Sequence, residues 1–184
     1  MKLLDLWDDP EHARGRSTGN AYLYRVAVIT WSRPVLWTPG TDFAVPEGWA
    51  GHGGIYAMLR SHHSQSDPRR IAYIGKALSF SRRLNRRHQH YDIVERRGKT
   101  EVSCGRIRYE RVRTARDAYL LEIEDVVKYA VHLYLENHQG FETLPGFRPT
   151  QPRVPAPWLI LNEGFRFGGR MPRRIAYPAI GIEF

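Results

Sequence analysis

Two short, half-hydrophobic runs near the middle of the chain constrain the fold more than any other feature. The first run, GIYAMLR, covers residues 54–60, and the second, IAYIG, covers residues 71–75. Each is rich in aromatic and branched residues and is flanked by glycine or polar residues, which is typical of a β-strand. The polar connector 61–70 is longer than a tight turn. The pattern therefore predicts an antiparallel hairpin, closed by a loop, that carries Tyr56 and Tyr73.

The remaining segments predict an α+β order. Residues 20–31 and 104–112 are rich in aromatic and branched residues and predict two further strands. A serine-capped helix is expected over about 79–90. Apolar residues at helical spacing predict a longer helix over 115–137. We therefore expect a small central antiparallel sheet of about three strands flanked by helices, with N-terminal strand and C-terminal extensions.

The chain length of 184 residues is sufficient for one domain with its own core. We expect a single domain, 1–184, in which residues 1–52 form an N-terminal arm and strand extension. Residues 53–137 would form the core of the domain. Residues 138–184 would form a C-terminal extension, whose last part is expected to be irregular, since it is basic and then apolar.

The charge balance indicates a polyanionic partner. There are 28 Lys and Arg against 19 Asp and Glu, which gives a net charge of +9. Such a balance suits nucleic acid or an anionic membrane surface. No apolar run approaches the roughly 20 residues that span a bilayer, and the N-terminus lacks the apolar core of a signal peptide. The single cysteine, Cys104, excludes an internal disulfide and predicts a reducing cytoplasm.

A basic run lies around the second half of the hairpin. Between Arg69 and Arg87 there are seven Lys and Arg and no acidic residue. A charge run of this kind is either a solvated face or, when folding gathers it, a surface that contacts phosphates. The candidate DNA contacts are Arg69, Arg70, Arg82, Arg86 and Arg87, together with Arg166, Arg170, Arg173 and Arg174 of the C-terminal extension.

The tripeptides GIY (54–56) and YIG (73–75), with the residues that follow them, resemble the GIY-YIG nuclease superfamily. Members of that family carry a catalytic arginine eight residues after the YIG glycine, and Arg83 stands eight residues after Gly75. Excision-repair members carry a lysine directly after that glycine, where this chain has Lys76. The resemblance covers roughly residues 53–137 and implies a nuclease fold and activity.

The resemblance also implies a glutamate that binds a metal ion. The family glutamate lies on a later helix in an acidic-Ala-apolar-apolar-apolar-Glu pattern, which residues 117–122, DAYLLE, match. Glu122 is thereby the expected ligand of one Mg²⁺, for which Mn²⁺ is the expected substitute. Glu124 is the competing ligand. An asparagine follows in family members, and Asn162 resembles it, with Asn137 as a rival.

One position departs from the family pattern. A histidine or tyrosine often stands four residues after the arginine, but here Arg87 occupies that position and His88 follows it. Either residue is a candidate, and a one-residue bulge in the helix would bring His88 into place.

Elementary chemistry supports this set of residues independently. Phosphodiester cleavage needs an activated water, a cation for the developing charge and assistance to the leaving oxygen. Tyrosine is a poor base at neutral pH, but nearby cations favour its charged form. We therefore expect one of Tyr56 and Tyr73 to act as general base while the other orients the water. Arg83 would clamp the phosphate. This hypothesis requires Glu122 to face both tyrosines.

Together these observations predict a Mg²⁺-dependent endonuclease that hydrolyses double-stranded DNA. A compact chain of this kind is most like a stand-alone, sequence-specific restriction-type member, and such members often form homodimers. Two alternatives use the same fold: a nuclease toxin and a structure-specific repair nuclease. A third alternative is a DNA-binding module without catalytic activity.

Overall fold

The computed structural model describes residues 14–17, 20–23, 25–60, 71–97, 100–110, 119–128, 158–165, 173–177 and 181–183. Strands dominate these residues and fall into a small two-stranded sheet and a large eight-stranded sheet. The strands are β1 (Arg14–Ser17), β2 (Asn20–Leu23), β3 (Arg25–Trp31), β4 (Val35–Trp37), β5 (Gly54–Arg60), β6 (Ile71–Ala77), β7 (Thr100–Glu110), β8 (Trp158–Gly164), β9 (Arg174–Tyr177) and β10 (Gly181–Glu183).

The large sheet is mixed. Its strand order is β10-β9-β8-β3-β7-β5-β6, and β4 pairs with β7 beside this path. Strands β3 and β8 are parallel, whereas the other pairs are antiparallel. The prediction of a small three-stranded antiparallel sheet flanked by helices is therefore wrong. The expected hairpin is confirmed, but β5 and β6 form only one end of a much wider sheet.

The extra strands come from segments outside the hairpin. Strand β8 inserts between β3 and β9, and both β3 and β8 are almost continuously apolar, as strands buried on both faces are. The last part of the C-terminal extension, which was expected to be irregular, supplies β9 and β10 at the far side of the sheet. The N-terminal arm contributes β1, which pairs with β2.

The helices among the described residues are short. They are a 3-10 helix (Glu47–Trp49), α1 (Phe80–Arg83), α2 (Tyr91–Arg97) and α3 (119–128). The single helix predicted over 79–90 is wrong, because α1 ends after one turn. Asn85 donates to the carbonyl of Arg82 and accepts from the backbone N–H of Arg87, and these local bonds replace the helical pattern. No helix in the described ranges is long and apolar enough to cross a membrane.

The sheet separates two apolar layers. Helix α3 packs on one face through Leu120, Ile123, Val126 and Val127, which contact inward residues of β3, β5 and β8. The opposite face beside the hairpin is covered by α1, α2 and the chain around Trp37. Strand β6 lies at the end of the described sheet. Side chains from both layers therefore meet around this edge.

Candidate active site

The two tyrosines of the hairpin lie side by side. In the β5–β6 pair, Tyr56 stands opposite Gly75 and Met58 stands opposite Tyr73. The Tyr56 and Tyr73 ring centroids are 6.0 Å apart. A Cβ at Gly75 would lie 2.5 Å from the Tyr56 hydroxyl and 2.7 Å from the Tyr73 ring. Glycine is therefore required at this position because the phenol groups occupy the space of a side chain.

His88, and not Arg87, completes this aromatic group. The turn after α1 brings the His88 Nε2 atom to 2.6 Å from the Tyr56 hydroxyl, whereas Arg87 is exposed. His88 is 5% exposed. Burial, with the nearby charges of Arg83 and His90, lowers the pKa of His88 to about 4. The imidazole is therefore neutral at neutral pH.

Arg83 faces both phenol groups. Its positive charge and N–H groups interact with Tyr56 and Tyr73, and these interactions raise the pKa of Arg83 although burial alone would lower it. The effect on Tyr56 is the opposite of the one expected from its cationic neighbours. Burial, followed by the proximity of Tyr73, raises the pKa of Tyr56 well above its usual value and outweighs Arg83. Tyr56 therefore remains a protonated phenol.

An open cleft of about 800 Å³ runs along the edge strand β6, and we call it the edge cleft. The described residues that line it include one phenol, four cationic side chains and one carboxylate, so its electrostatic character suits an anion with several oxygens. Tyr56 lies behind it, fully buried. The edge cleft is lined by Tyr73, Lys76, Ala77, Leu78, Ser79, Arg82, Arg83, Gln89, Leu120, Glu124 and Lys128.

Glu124 is the carboxylate of the edge cleft. It is 6% exposed and lies between two ammonium groups. The Lys128 Nζ atom is 2.7 Å from one of its oxygens, and the Lys76 Nζ atom is 3.3 Å from the other. Lys128 also lies 5.5 Å from the centre of the Tyr73 ring. Helix α3 thus places Glu124 and Lys128 beside β6, the strand that carries Tyr73.

Glu122 does not reach the edge cleft, contrary to the geometry that the family pattern requires. Its Oε2 atom accepts a hydrogen bond from Trp158 Nε1 at 2.7 Å and pairs with Arg25 at 3.4 Å. Residues two apart on a helix point about 200° apart, so Glu122 and Glu124 occupy opposite flanks of α3. Arg25 is on β3, which two strands separate from β6, a distance of roughly 14 Å at the usual strand spacing.

The other predicted residues divide between the edge cleft and more distant places. Asn162 is buried on β8, where its side chain accepts a hydrogen bond from Trp31 Nε1 at 2.9 Å, so it is a core residue far from β6. Arg82 lines the edge cleft. Arg86 is exposed and pairs with Asp42. Arg173 and Arg174 lie at β9, on the far side of the sheet, and Arg69, Arg70, Asn137, Arg166 and Arg170 lie outside the described residues.

Three residues at this site were not predicted. Gln89 lines the edge cleft and its amide donates to the Tyr73 hydroxyl at 3.4 Å. The His90 ring packs against the Tyr73 ring, with centroids 4.3 Å apart. Lys128 stands four residues after Glu124, a spacing at which a helical ion pair could have been predicted. Nothing in the sequence indicates the roles of Gln89 and His90, which depend on the early end of α1.

Comparisons with protein-family models, with curated proteins and with solved structures found no match for this chain. The resemblance to GIY-YIG nucleases therefore depends on the motif residues and their contacts.

Proposed function

We propose that this protein is an endonuclease of the GIY-YIG type that hydrolyses phosphodiester bonds at the edge cleft. The main support is that a single cleft unites an accessible phenol, four cations and a buried carboxylate, directly in front of Tyr56 and His88. Strand aromatics alone would be ordinary. In this hairpin, however, the two phenol groups lie so close to Gly75 that no side chain fits there, which an ordinary pair of strand tyrosines does not require.

The cationic side chains account for phosphate binding. Arg83 has a planar group that contacts two oxygens of one phosphate, and Lys76 and Lys128 supply point charges beside it. Charge that builds on the phosphoryl oxygens during hydrolysis is stabilised by such preorganised groups. Tyr73 is the phenol that lines the edge cleft, so it contacts the water and the substrate. Tyr56 supports Tyr73 from behind.

Mg²⁺ is the metal ion that the resemblance implies. Glu122 does not fit this ion, because Trp158 and Arg25 engage its carboxylate away from the edge cleft. Glu124 is the carboxylate among the described residues that line the cleft, and both of its oxygens contact lysines. It would hold Mg²⁺ together with water and substrate oxygens once these lysine contacts are released. A bound ion would neutralise charge on the leaving oxygen. The lysine contacts of Glu124 would then transfer to the phosphate.

Double-stranded DNA is the proposed substrate, and a restriction-type role is the proposed use. The net charge of +9 and the exposed Arg82, which lines the edge cleft, support a polyanion, as do the exposed Arg86 and Arg87. A homodimer would allow both strands to be cut. We propose a reducing cytoplasm as the location, because Cys104 is free and buried.

The direct test is cleavage of plasmid DNA, single-stranded DNA and RNA by the purified chain with Mg²⁺, with Mn²⁺ and with a chelator. We expect nicked or linear plasmid with either metal ion. Arg83→Ala should lower the rate by on the order of 10²-fold or more, because it removes a preorganised charge. Arg106→Ala is the matched control, since Arg106 is exposed but does not line the edge cleft. Binding of every substrate without cutting would instead identify a non-catalytic module.

A further inference from the structure

One large apolar side chain in the edge cleft is left exposed to solvent. Among the described residues, Leu36, Leu78 and Leu121 are the large apolar side chains that stay exposed, and of these three Leu78 lines the edge cleft. It is 66% exposed, more than the other two. A single exposed leucine is common on protein surfaces. A leucine in a cleft that attracts anions, however, must contact whatever fills that cleft.

The backbone holds this side chain in a fixed position. Leu78 follows Ala77, the last residue of β6, which is buried and paired with β5. On the other side, the buried Phe80 begins α1, and its N–H donates to the carbonyl of His52 at 3.0 Å. The Leu78 carbonyl passes so close to Gly53 that a Cβ there would collide with it. Leu78 is therefore an apolar projection on a well-anchored backbone.

Positive charge lies on both sides of Leu78 along the chain. Lys76 stands two residues before it, Arg82 and Arg83 stand four and five residues after it, and all three cations line the edge cleft. The buried Leu120 adds to the apolar part of the same lining. The described lining thus combines apolar groups with cations. A nucleotide offers the matching combination, because its phosphate is anionic and the faces of its base are apolar.

The size of the edge cleft limits how DNA enters it. Clefts of roughly 300–1,000 Å³ enclose a single small molecule. The edge cleft measures about 800 Å³, so it accommodates part of one strand and not a whole duplex. In a duplex, each base face is covered by stacking on its neighbours. Leu78 therefore reaches a base face only where a base step has opened.

We propose that Leu78 is an apolar wedge that contacts an unstacked base beside the phosphate bound in the edge cleft. This inference rests on the proposed function, from which DNA is taken as the ligand. Leucine is among the side chains that enter opened base steps. Opening an intact step costs free energy, and a weakened step costs less. The substrate class that follows is DNA with one weakened step, as at a mismatch or at a junction of single and double strands.

DNA binding in the presence of a chelator tests the proposal without cleavage. Two dye-labelled duplexes share the same length and flanking sequence, and their central base pair is either matched or mismatched. Wild-type protein should bind the mismatched duplex with a Kd about 10- to 100-fold lower. Leu78→Ala should remove most of this preference, because alanine is too short to fill an opened step. A 2-aminopurine base beside the mismatch, whose fluorescence rises on unstacking, should brighten more with wild type than with Leu78→Ala.

Matched variants separate this effect from folding and from charge. Leu36→Ala is the control for loss of an exposed leucine, since Leu36 is 53% exposed but does not line the edge cleft. It should keep the wild-type preference, and both leucine variants should keep the wild-type Tm. Arg82→Ala should weaken binding of both duplexes equally, because a phosphate contact does not distinguish a stacked base from an unstacked one.

Three results would overturn the inference. They are equal wild-type affinities for the two duplexes, a preference that survives Leu78→Ala, and a change of oligomeric state in Leu78→Ala, which would make Leu78 a contact between two copies of the chain. Failure of the proposed function gives a different result. A wild-type protein that prefers the mismatched duplex but cuts no DNA with Mg²⁺ would refute the nuclease, whereas active cleavage with equal affinities would refute only the wedge.

Discussion

Replacing the two glutamates of helix α3 one at a time distinguishes the geometry of the site from the family pattern. The pattern assigns the metal to Glu122, so Glu122→Gln should abolish cleavage if the pattern applies. The structure places Glu124 in the edge cleft and Glu122 on the other flank. We therefore expect Glu124→Gln to lower the rate by on the order of 10²-fold or more, as found for preorganised charge groups, and Glu122→Gln to remain active.

The contacts of Glu122 give the size of its effect on stability. In Glu122→Gln the new amide oxygen would still accept from Trp158, but a neutral acceptor contributes about 1 kcal/mol less than a charged one. The ion pair with Arg25 joins side chains that are 31% and 13% exposed, so its loss adds only about 0–1 kcal/mol. The total is about 1–2 kcal/mol, or roughly 3–6 °C in Tm for a chain of this size. Glu124→Gln should cost a similar amount, because its two lysine partners retain access to water.

The assay combines thermal unfolding, DNA binding and plasmid cleavage for both variants. Similar shifts in Tm with very different rates would show that the cleavage defect of Glu124→Gln is not a folding defect. Both variants should bind DNA, since the cationic side chains remain. The reasoning is refuted if Glu122→Gln is inactive while Glu124→Gln cleaves at the wild-type rate.

Two further predictions concern the hairpin and its histidine. Gly75→Ala should destabilise the fold by about 1–3 kcal/mol and impair cleavage, because the new methyl group would collide with both phenol groups. Gly48→Ala is the control, since a methyl group there would meet nothing within 4 Å. This variant should show an unchanged free energy of unfolding in denaturant. Burial lowers the pKa of His88 to about 4, so the unfolded chain binds more protons than the folded chain between pH 6.5 and 4. The free energy of unfolding should therefore decrease as the pH is lowered from 6.5 to 4. His88→Asn should flatten this part of the stability profile.

The sequence alone predicted the local features of the site. Alternating and apolar residues around Tyr56 and Tyr73 predicted an antiparallel hairpin, since side-chain period and loop length are local properties. Helical spacing predicted the buried face of α3, through residues such as Ile123 and Val127. The candidate set also contained Arg83 and His88, which the structure brings to the hairpin. The resemblance to GIY-YIG nucleases remains a hypothesis from these motifs.

The width of the sheet could not be predicted in this way. Strand β8 joins β3 in parallel from more than a hundred residues away, and β9 follows it, because long-range pairing depends on which apolar surfaces meet in space. The short tail segments carry too few residues for a clear period. This pairing also places Asn162 in the core beside Trp31, where it cannot serve the edge cleft.

What the sequence determined by itself is therefore a hairpin with two tyrosines, a surplus of positive charge and an amphipathic helix behind them. Only the tertiary structure decided which members of that set share a cleft. A helix turns about 100° per residue, so its rotation on the sheet selects Glu124 over its neighbour two positions earlier. The end of α1 after one turn selects His88 over Arg87 in the same manner. The first choice depends on how α3 packs against distant strands, which no local pattern encodes. The second depends on where α1 ends, which the local hydrogen bonds of Asn85 determine.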